Sequence, residues 1–418
     1  MGLFMIVTLL VLVSAVYSYL NARVFKLPGT IGIVTIAVVV SAVTVIVDKV
    51  NPDAAAYLNA LSKNINFSGT VLNIMLGFLL FAGAFNLNNR KLKREMVPVL
   101  ILSTISVIVS TVIFGFLFYW VTILFHEHIS LIFCMLFGAL ISPTDPVAVG
   151  AVIKGSRLPA NLETIISGES LFNDGIGLVL FITILELTES GADHIDLGKT
   201  AILFVREVFG GLALGGAVGY IGYRLMKSIT DFQTIVLVSL SMVMGISVLG
   251  SDLHVSIPLA AVAAGLLAGN RSINQDNTEH SHQALEKFWQ LVDEMLNTIL
   301  FVMIGLQMVN IPYLDNYWLT GLIAILVILA ARWLSIVLPL TFLKRTLNVK
   351  FSSINILTWA GLRGGISIAL ALSLPYTPFK HIILSGAYFI VIFSVIVQGL
   401  TLNKIINIYY KKDGEEKM

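Results

Sequence analysis

The amino-acid sequence predicts an all-α polytopic membrane protein of about 13 transmembrane helices, two of them broken in mid-membrane. Three observations predict it: the balance of apolar to charged residues, a series of apolar runs of spanning length, and the alternation of basic residues between successive loops.

The chain has 418 residues, 57% apolar and 12% charged. Soluble domains carry about 25% charged residues. Half that charge leaves too little polar surface to cover a water-soluble particle, so the membrane class follows before any motif is read. A net charge of +2 gives no electrostatic argument for nucleic acid. The single cysteine, Cys134, lies inside an apolar run. It has no partner for a disulfide or a thiolate metal site and reads as a small buried hydrophobe.

A spanning helix needs about 20 mainly apolar residues. Candidates fall near 2–20, 30–47, 69–86, 97–125, 130–152, 162–188, 200–223, 233–250, 255–269, 294–310, 317–342, 352–374 and 380–402. The first has no basic residue before it and reads as a retained helix rather than a cleaved signal peptide. Loop charges support the count. Of the 26 Lys and Arg residues, 19 fall on alternate loops and the tail, and only Lys49, Lys63, Lys199 and Lys380 fall on the other face. Arg206, Arg332 and Arg363 remain inside or at the edge of spans. By the positive-inside rule the N-terminus is outside and the C-terminus cytoplasmic, in a multi-pass protein of a bacterial inner (plasma) membrane. The longest interhelical loop is expected near 270–293. Residues 1–402 form one transmembrane domain, with core elements near 69–188 and 294–402, and 403–418 a short cytoplasmic tail. No GxxxxGK[ST] sequence is present, so ATP-driven pumping has no visible engine.

Two spans carry breaks. Ser142-Pro143-Thr144-Asp145-Pro146 places prolines on both sides of a Thr-Asp pair, and proline removes a backbone donor and clashes with the preceding turn. Gly361-Leu362-Arg363-Gly364-Gly365 places three glycines around an arginine. Freed backbone is tolerated at this depth only where it faces protein or a water-filled cavity. The two segments are the fifth and twelfth spans. An odd offset makes them run in opposite directions, as in inverted repeats whose broken helices cross near a binding site. Where half-helices meet, Asp145 can neutralise the positive N-terminal ends and Arg363 the negative C-terminal ends, and Asp145 is also counted among the cation- and proton-binding candidates.

The sixth span contains Ser167-Gly168-Glu169-Ser170-Leu171-Phe172-Asn173-Asp174-Gly175. Glu169 and Asn173 share a helix face, as do Ser170 and Asp174. A charge at the centre of a membrane helix costs roughly 2.5–3.5 kcal/mol on insertion scales. Arg332, in the eleventh span, is the expected partner of Glu169 in a structural ion pair. That leaves Asp174 without a cation and makes it the functional candidate. An unpaired carboxylate in a low-dielectric cavity can hold a proton, or release it when a cation arrives. Na⁺ is a hard cation that wants oxygen ligands, which Asp174, Ser170, Thr144 and unwound carbonyls could supply. One carboxylate that cannot be protonated and cation-bound at once, exposed to each side in turn, suffices for exchange.

At these residues a family resemblance enters. The run Gly138-Ala139-Leu140-Ile141-Ser142-Pro143-Thr144-Asp145-Pro146-Val147-Ala148-Val149, followed by Gly168-Glu169-Ser170-Leu171-Phe172-Asn173-Asp174, resembles the NhaP-type branch of the monovalent cation/proton antiporters, which includes the animal sodium/proton exchangers. Phe288-Trp289, Asn297-x-x-x-Phe301-x-x-x-Gly305, Arg332 and Gly361-Leu362-Arg363-Gly364-Gly365 are similar too, and the likeness covers nearly the whole chain. The resemblance implies a dimerisation domain beside a core ion-translocation domain, and a homodimer in the lipid bilayer. It implies that Asp174 carries ion and proton with support from Asn173, that Thr144 and Ser170 help bind the cation, and that Glu169–Arg332 is structural. An Asn-Asp pair at 173–174 implies electroneutral one-for-one exchange. No cofactor is implied beyond the transported Na⁺ and H⁺. One departure stands out. Relatives often carry an acid near the end of the third span, where this chain has Phe81-Ala82-Gly83-Ala84. No long C-terminal regulatory tail is expected.

Other signals read as structural. His126-Glu127-His128 lacks the spacing of a metal-binding HExxH. Gly211, Gly215 and Gly219 make a ridge for close helix packing, with a dimer contact as the alternative. Glu186, Glu189, Asp193 and Asp196 read as a solvated acidic face, and Asn66-Phe67-Ser68 as a chance sequon. Competing functions are a K⁺/H⁺ antiporter on the same scaffold, a cation channel, and an intramembrane enzyme built on Ser170, which lacks a membrane-embedded base. The sequence does not separate Na⁺ from Li⁺ or K⁺.

Overall fold

A computed structural model of the chain describes residues 2–50, 65–125, 127–153, 156–189, 197–269, 279–309, 317–342 and 351–415. All regular secondary structure among the described residues is helical, and no strand is present among them. In chain order the helices are α1 (Leu3–Leu20), α2 (Gly29–Val50), α3 (Phe67–Asn86), α4 (Asn89–Arg94), α5 (Met96–Leu124), α6 (Leu131–Ile141), α7 (Pro146–Ile153), α8 (Ala160–Glu189) and α9 (Leu197–Lys227). They continue with α10 (Phe232–Leu253), α11 (Ile257–Ala268), α12 (Glu279–Met308), α13 (Trp318–Phe342), α14 (Phe351–Trp359), α15 (Gly365–Ser373), α16 (Lys380–Ile392) and α17 (Gly399–Glu415). A π-helical turn, Phe393–Gln398, joins the last two without interruption.

Ten of these helices are long and apolar enough to cross a membrane, and α6 with α7, bent by 40° across a break, makes an eleventh span. The two other predicted spans fall on the short apolar helix α11 and on the interrupted pair α14–α15.

One expectation needs correction. The loop foreseen near 270–293 ends early, because α12 is helical from Glu279. Glu286, Lys287, Asp293 and Glu294 lower the mean hydropathy of this stretch. Its apolar residues nevertheless recur at helical spacing, and Leu285, Trp289 and Leu300 are buried. Lys287 therefore lies on a helix rather than in a loop. Residues 270–278 lie outside the described residues, as do the loop residues Lys63, Lys154, Arg271, Lys344, Arg345 and Lys350, together with His126, Asp193 and Asp196.

Small side chains let the helices close up. Gly211, Gly215 and Gly219 of α9 press against Ser256, Ala260 and Ala264 at and along α11, with no room for a Cβ at Gly211 or Gly215. The glycine ridge is thus occupied within the chain. Trp289 of α12 is fully buried, donates from Nε1 to Ser239 Oγ at 3.2 Å, and packs its ring 4.7 Å from that of Phe81 on α3. Phe288 stands at 5.5 Å from the same indole, so this pair of aromatics locks α12 to its neighbours. Cys134 is buried in α6. Asn66 caps α3, its side chain accepting from the Gly69 N–H.

The apolar surface is distributed as a lipid solvent requires. Phe4 on α1, Ile202 and Phe209 on α9, and Leu237, Met244 and Val248 on α10 are each more than half exposed. Only 22%, 17% and 28% of the α1, α9 and α10 spans are buried, against 72% for the span that begins at Lys380, so the first three lie at the periphery and the last in the core.

Candidate functional site

The two interrupted spans meet at their breaks. After α6 the chain passes through Ser142-Pro143-Thr144-Asp145 and restarts at Pro146, which suits the first position of a helix because it lacks an N–H that would go unpaired there. Asp145 caps the restart. Its Oδ1 accepts from the N–H groups of Val147 at 2.8 Å and Ala148 at 3.1 Å. In the second span, α14 ends at Trp359 and Gly364 is extended before α15 begins. The Asp145 N–H donates to the Leu362 carbonyl at 2.7 Å, which joins the breaks directly. Gly364 lies against the Asp145 carboxylate so closely that a Cβ would overlap it.

Arg363 reaches back into the first break. Its Nη1 donates to the carbonyls of Ser142 and Pro143, at the C-terminal end of α6, where the helix dipole is negative. Its own N–H donates to Ser394 Oγ at 2.8 Å, from the π-helical turn of the last span. A π-turn displaces one residue from the α-ladder, and here the displaced segment supplies a buttress for the break.

Helix α8 supplies the carboxylates. Glu169 pairs with Arg332 of α13 at 2.5 Å, and both side chains are no more than 3% exposed. A Cβ at Gly361 would stand 3.0 Å from Arg332 Nε, so this ion pair abuts the second break. One turn further along α8, Asn173 Nδ2 donates to Thr144 Oγ1 at 2.7 Å, and Asn173 Oδ1 accepts from the Thr144 N–H at 3.2 Å. Ser170 Oγ is 2.8 Å from Thr144 Oγ1. Asp174 is 2% exposed and has no hydrogen-bond or ion-pair partner among the described residues.

A cavity of about 840 Å³ reaches this crossing, lined at depth by Pro143, Thr144, Asp145, Asp174, Gly364 and Gly365. The exposed lining residues Ala22, Asn88, Lys91 and Glu163 mark its mouth, beside the basic segments that carry Arg23 and Lys26 and, on α4, Arg90 and Arg94. Of the residues singled out from the sequence, Thr144, Asp145 and Asp174 line the cavity. Asn173 and Ser170 stand behind Thr144 and hold it. Glu169, Arg332 and Arg363 lie at the crossing but off the cavity wall. The arrangement offers an unpaired carboxylate and a fixed hydroxyl-bearing residue on one cavity wall, hard oxygen groups of the kind an alkali cation takes.

Residues 9–407 match the family model described as sodium/hydrogen exchanger, transmembrane. The chain belongs to the sodium/hydrogen exchanger family. Within that family it is 36% identical to the Na⁺/H⁺ antiporter NhaP of Pseudomonas aeruginosa, across 99% of this chain and 98% of that protein. It is 30% identical to the Na⁺/H⁺ antiporter NhaH of Halobacillus dabanensis, across 95% of this chain and 96% of that protein. Its fold matches that of the sodium proton antiporter MjNhaP1 of Methanocaldococcus jannaschii with a TM-score of 0.76, at 20% identity, covering 97% and 99% of the two chains.

In this exchanger the cavity also shows what sequence reasoning missed. The α12 wall contributes Gln290, Asp293, Glu294 and Asn297. A hydropathy reading leaves Asp293 in a loop, whereas the four-residue spacing of Asp293 and Asn297 on an amphipathic helix would have marked it. The α3 wall is formed by Leu76, Leu79, Leu80, Gly83 and Asn86 and holds no carboxylate, and Ala82 is fully buried away from it. Among the described residues no group of three or more His, Cys, Asp or Glu side chains could hold a metal ion.

Proposed function

We propose that this family member exchanges Na⁺, with Li⁺ as a second substrate, for H⁺, with Asp174 binding cation or proton in competition. The observation that carries the reading is Asp174 itself, buried, unpartnered among the described residues and lining the cavity beside Thr144. A carboxylate so placed is destabilised as a bare anion and is relieved by either a proton or an alkali cation. Thr144, fixed by Asn173 and Ser170, provides a second oxygen, with Ser170 close behind. Asp145 and Arg363 act through the helix ends they cap, and Glu169–Arg332 ties α8 to α13 beside the crossing.

Charge balance supports one-for-one, electroneutral exchange. The buried carboxylates and guanidinium groups among the described residues are Asp145, Glu169 and Asp174 against Arg332 and Arg363. When all are ionised the crossing carries one negative charge, which one monovalent cation or one proton neutralises. Loading with either lowers the cost of moving the site through the bilayer equally. An empty, charged site pays the full cost, which suppresses uncoupled leak.

The positive-inside rule, applied to the basic segments beside the cavity mouth, supports a mouth on the cytoplasmic side and an inward-open conformation, in a bacterial inner membrane crossed by thirteen segments. A homodimer is supported by the family resemblance and by the low burial of the apolar helices α1, α9 and α10. The test is a pH-gradient dye in everted vesicles from cells lacking their own antiporters, with NaCl, LiCl, KCl or choline chloride added in turn. Collapse of the gradient by Na⁺ or Li⁺ supports the reading. Collapse by K⁺ alone overturns the substrate, and no response to any cation overturns exchange.

A further inference from the structure

The exchange scheme leaves Asp293 unused, a cavity carboxylate that lies deeper than the exposed Glu163 and Glu294. Asp293 lies on the α12 wall, half-buried, facing the same space as Asp174. It is held there. Asn297, only 2% exposed, donates from Nδ2 to Asp293 Oδ1 at 3.0 Å and to the Asp293 carbonyl at 2.8 Å. The second carboxylate oxygen has no hydrogen-bond partner among the described residues.

The acids of the cavity are ordered by depth. Glu163 and Glu294 are exposed at the mouth, Asp293 is half-buried, and Asp145 and Asp174 are buried at the crossing. Among the described residues the one basic side chain on the cavity wall is Lys91, which is exposed at the mouth. A cleft with acids at successive depths and low-dielectric walls focuses cations inward and lets a partly dehydrated ion exchange water for carboxylate oxygen in steps. Asp145 is less suited to such a step, because its Oδ1 already accepts two backbone N–H groups. Asp174 independently marks the end of the path, as a buried polar side chain without a partner.

We propose that Asp293 is a second cation-handling carboxylate of the transport path, receiving Na⁺ between the cavity mouth and Asp174. This rests on the exchange reading above. It also assigns to α12 the accessory acid that the α3 wall does not provide at Ala82 or at any residue it turns to the cavity.

The test is the dependence of exchange on Na⁺ concentration in everted vesicles, for wild type, Asp293→Asn, Asp293→Glu and Asp174→Asn. Loss of one cavity charge is expected to raise the half-saturating Na⁺ concentration of Asp293→Asn by about tenfold, with the maximal rate lowered less than about threefold. Asp293→Glu keeps the charge and is expected to stay within about threefold of wild type for half-saturation. An unchanged half-saturation in Asp293→Asn, with Asp174→Asn inactive, overturns the proposal and leaves the exchange reading intact. A fall in maximal rate in step with folded protein, at unchanged half-saturation, also overturns it by making Asp293 structural. Wild-type exchange by Asp174→Asn overturns the reading and the proposal together.

Discussion

The backbone N–H of Asp145 donates to the carbonyl of Leu362 at 2.7 Å, so two breaks separated by more than 200 residues share one hydrogen bond. Each break frees backbone groups that hydrocarbon cannot satisfy. The crossing satisfies several of them mutually, through this bond, through Arg363 on the carbonyls of Ser142 and Pro143, and through the Asp145 carboxylate on α7. The two half-helix pairs therefore behave as one polar unit inside an apolar bundle, and displacing either moves the surroundings of Asp174.

The closeness of the breaks is open to test at Gly364. A Cβ there would overlap the Asp145 side chain. Gly364→Ala is expected to push the breaks apart, lower stability by about 1–3 kcal/mol and reduce exchange at least tenfold. Thermal unfolding in detergent and the vesicle assay check both effects, while Gly150→Ala on α7, where a Cβ has open space, should unfold as wild type does.

The Glu169–Arg332 pair is expected to matter for folding rather than for the ion. Removing one partner leaves an uncompensated buried charge, which costs about 3–5 kcal/mol. Glu169→Ala and Arg332→Ala should each lower the yield and melting temperature of folded protein. A joint replacement by apolar residues of similar volume should recover much of the loss, and full stability in either single variant would remove the ion-pair account.

Competition at one carboxylate fixes the sign of the pH dependence. Lowering pH on the cavity side protonates a larger fraction of Asp174, which then cannot hold Na⁺. The half-saturating Na⁺ concentration should therefore rise as pH falls, by up to tenfold per pH unit where the proton is the main occupant. A half-saturation independent of pH would contradict a shared site.

Much of this architecture was legible in the sequence because the bilayer imposes a length and a charge rule on every span. The prolines at 143 and 146 and the glycines at 361, 364 and 365 announced both breaks, since no side-chain contact was needed to see that a helix cannot pass through them unaltered. The pairing of Glu169 with Arg332 was legible because a buried charge demands a partner. Asp293 was not, for the opposite reason. It sits on a one-sided helix whose polar face turns to an aqueous cavity, and averaging hydropathy over that face gives the signature of a loop. The inward position of Thr144, with Ser170 and Asn173 behind it, was also illegible. Helical spacing fixes which face a residue occupies but not which neighbour reaches the cavity first.

The most direct test of the central claim is exchange by Asp174→Asn in everted vesicles, with expression and unfolding temperature matched to wild type. The substitution keeps the shape and removes the ionisable group. Complete loss of Na⁺- and Li⁺-driven collapse of the pH gradient, with folded protein present, is the predicted result. Exchange near the wild-type rate would contradict the account and place the coupling of cation to proton at another residue.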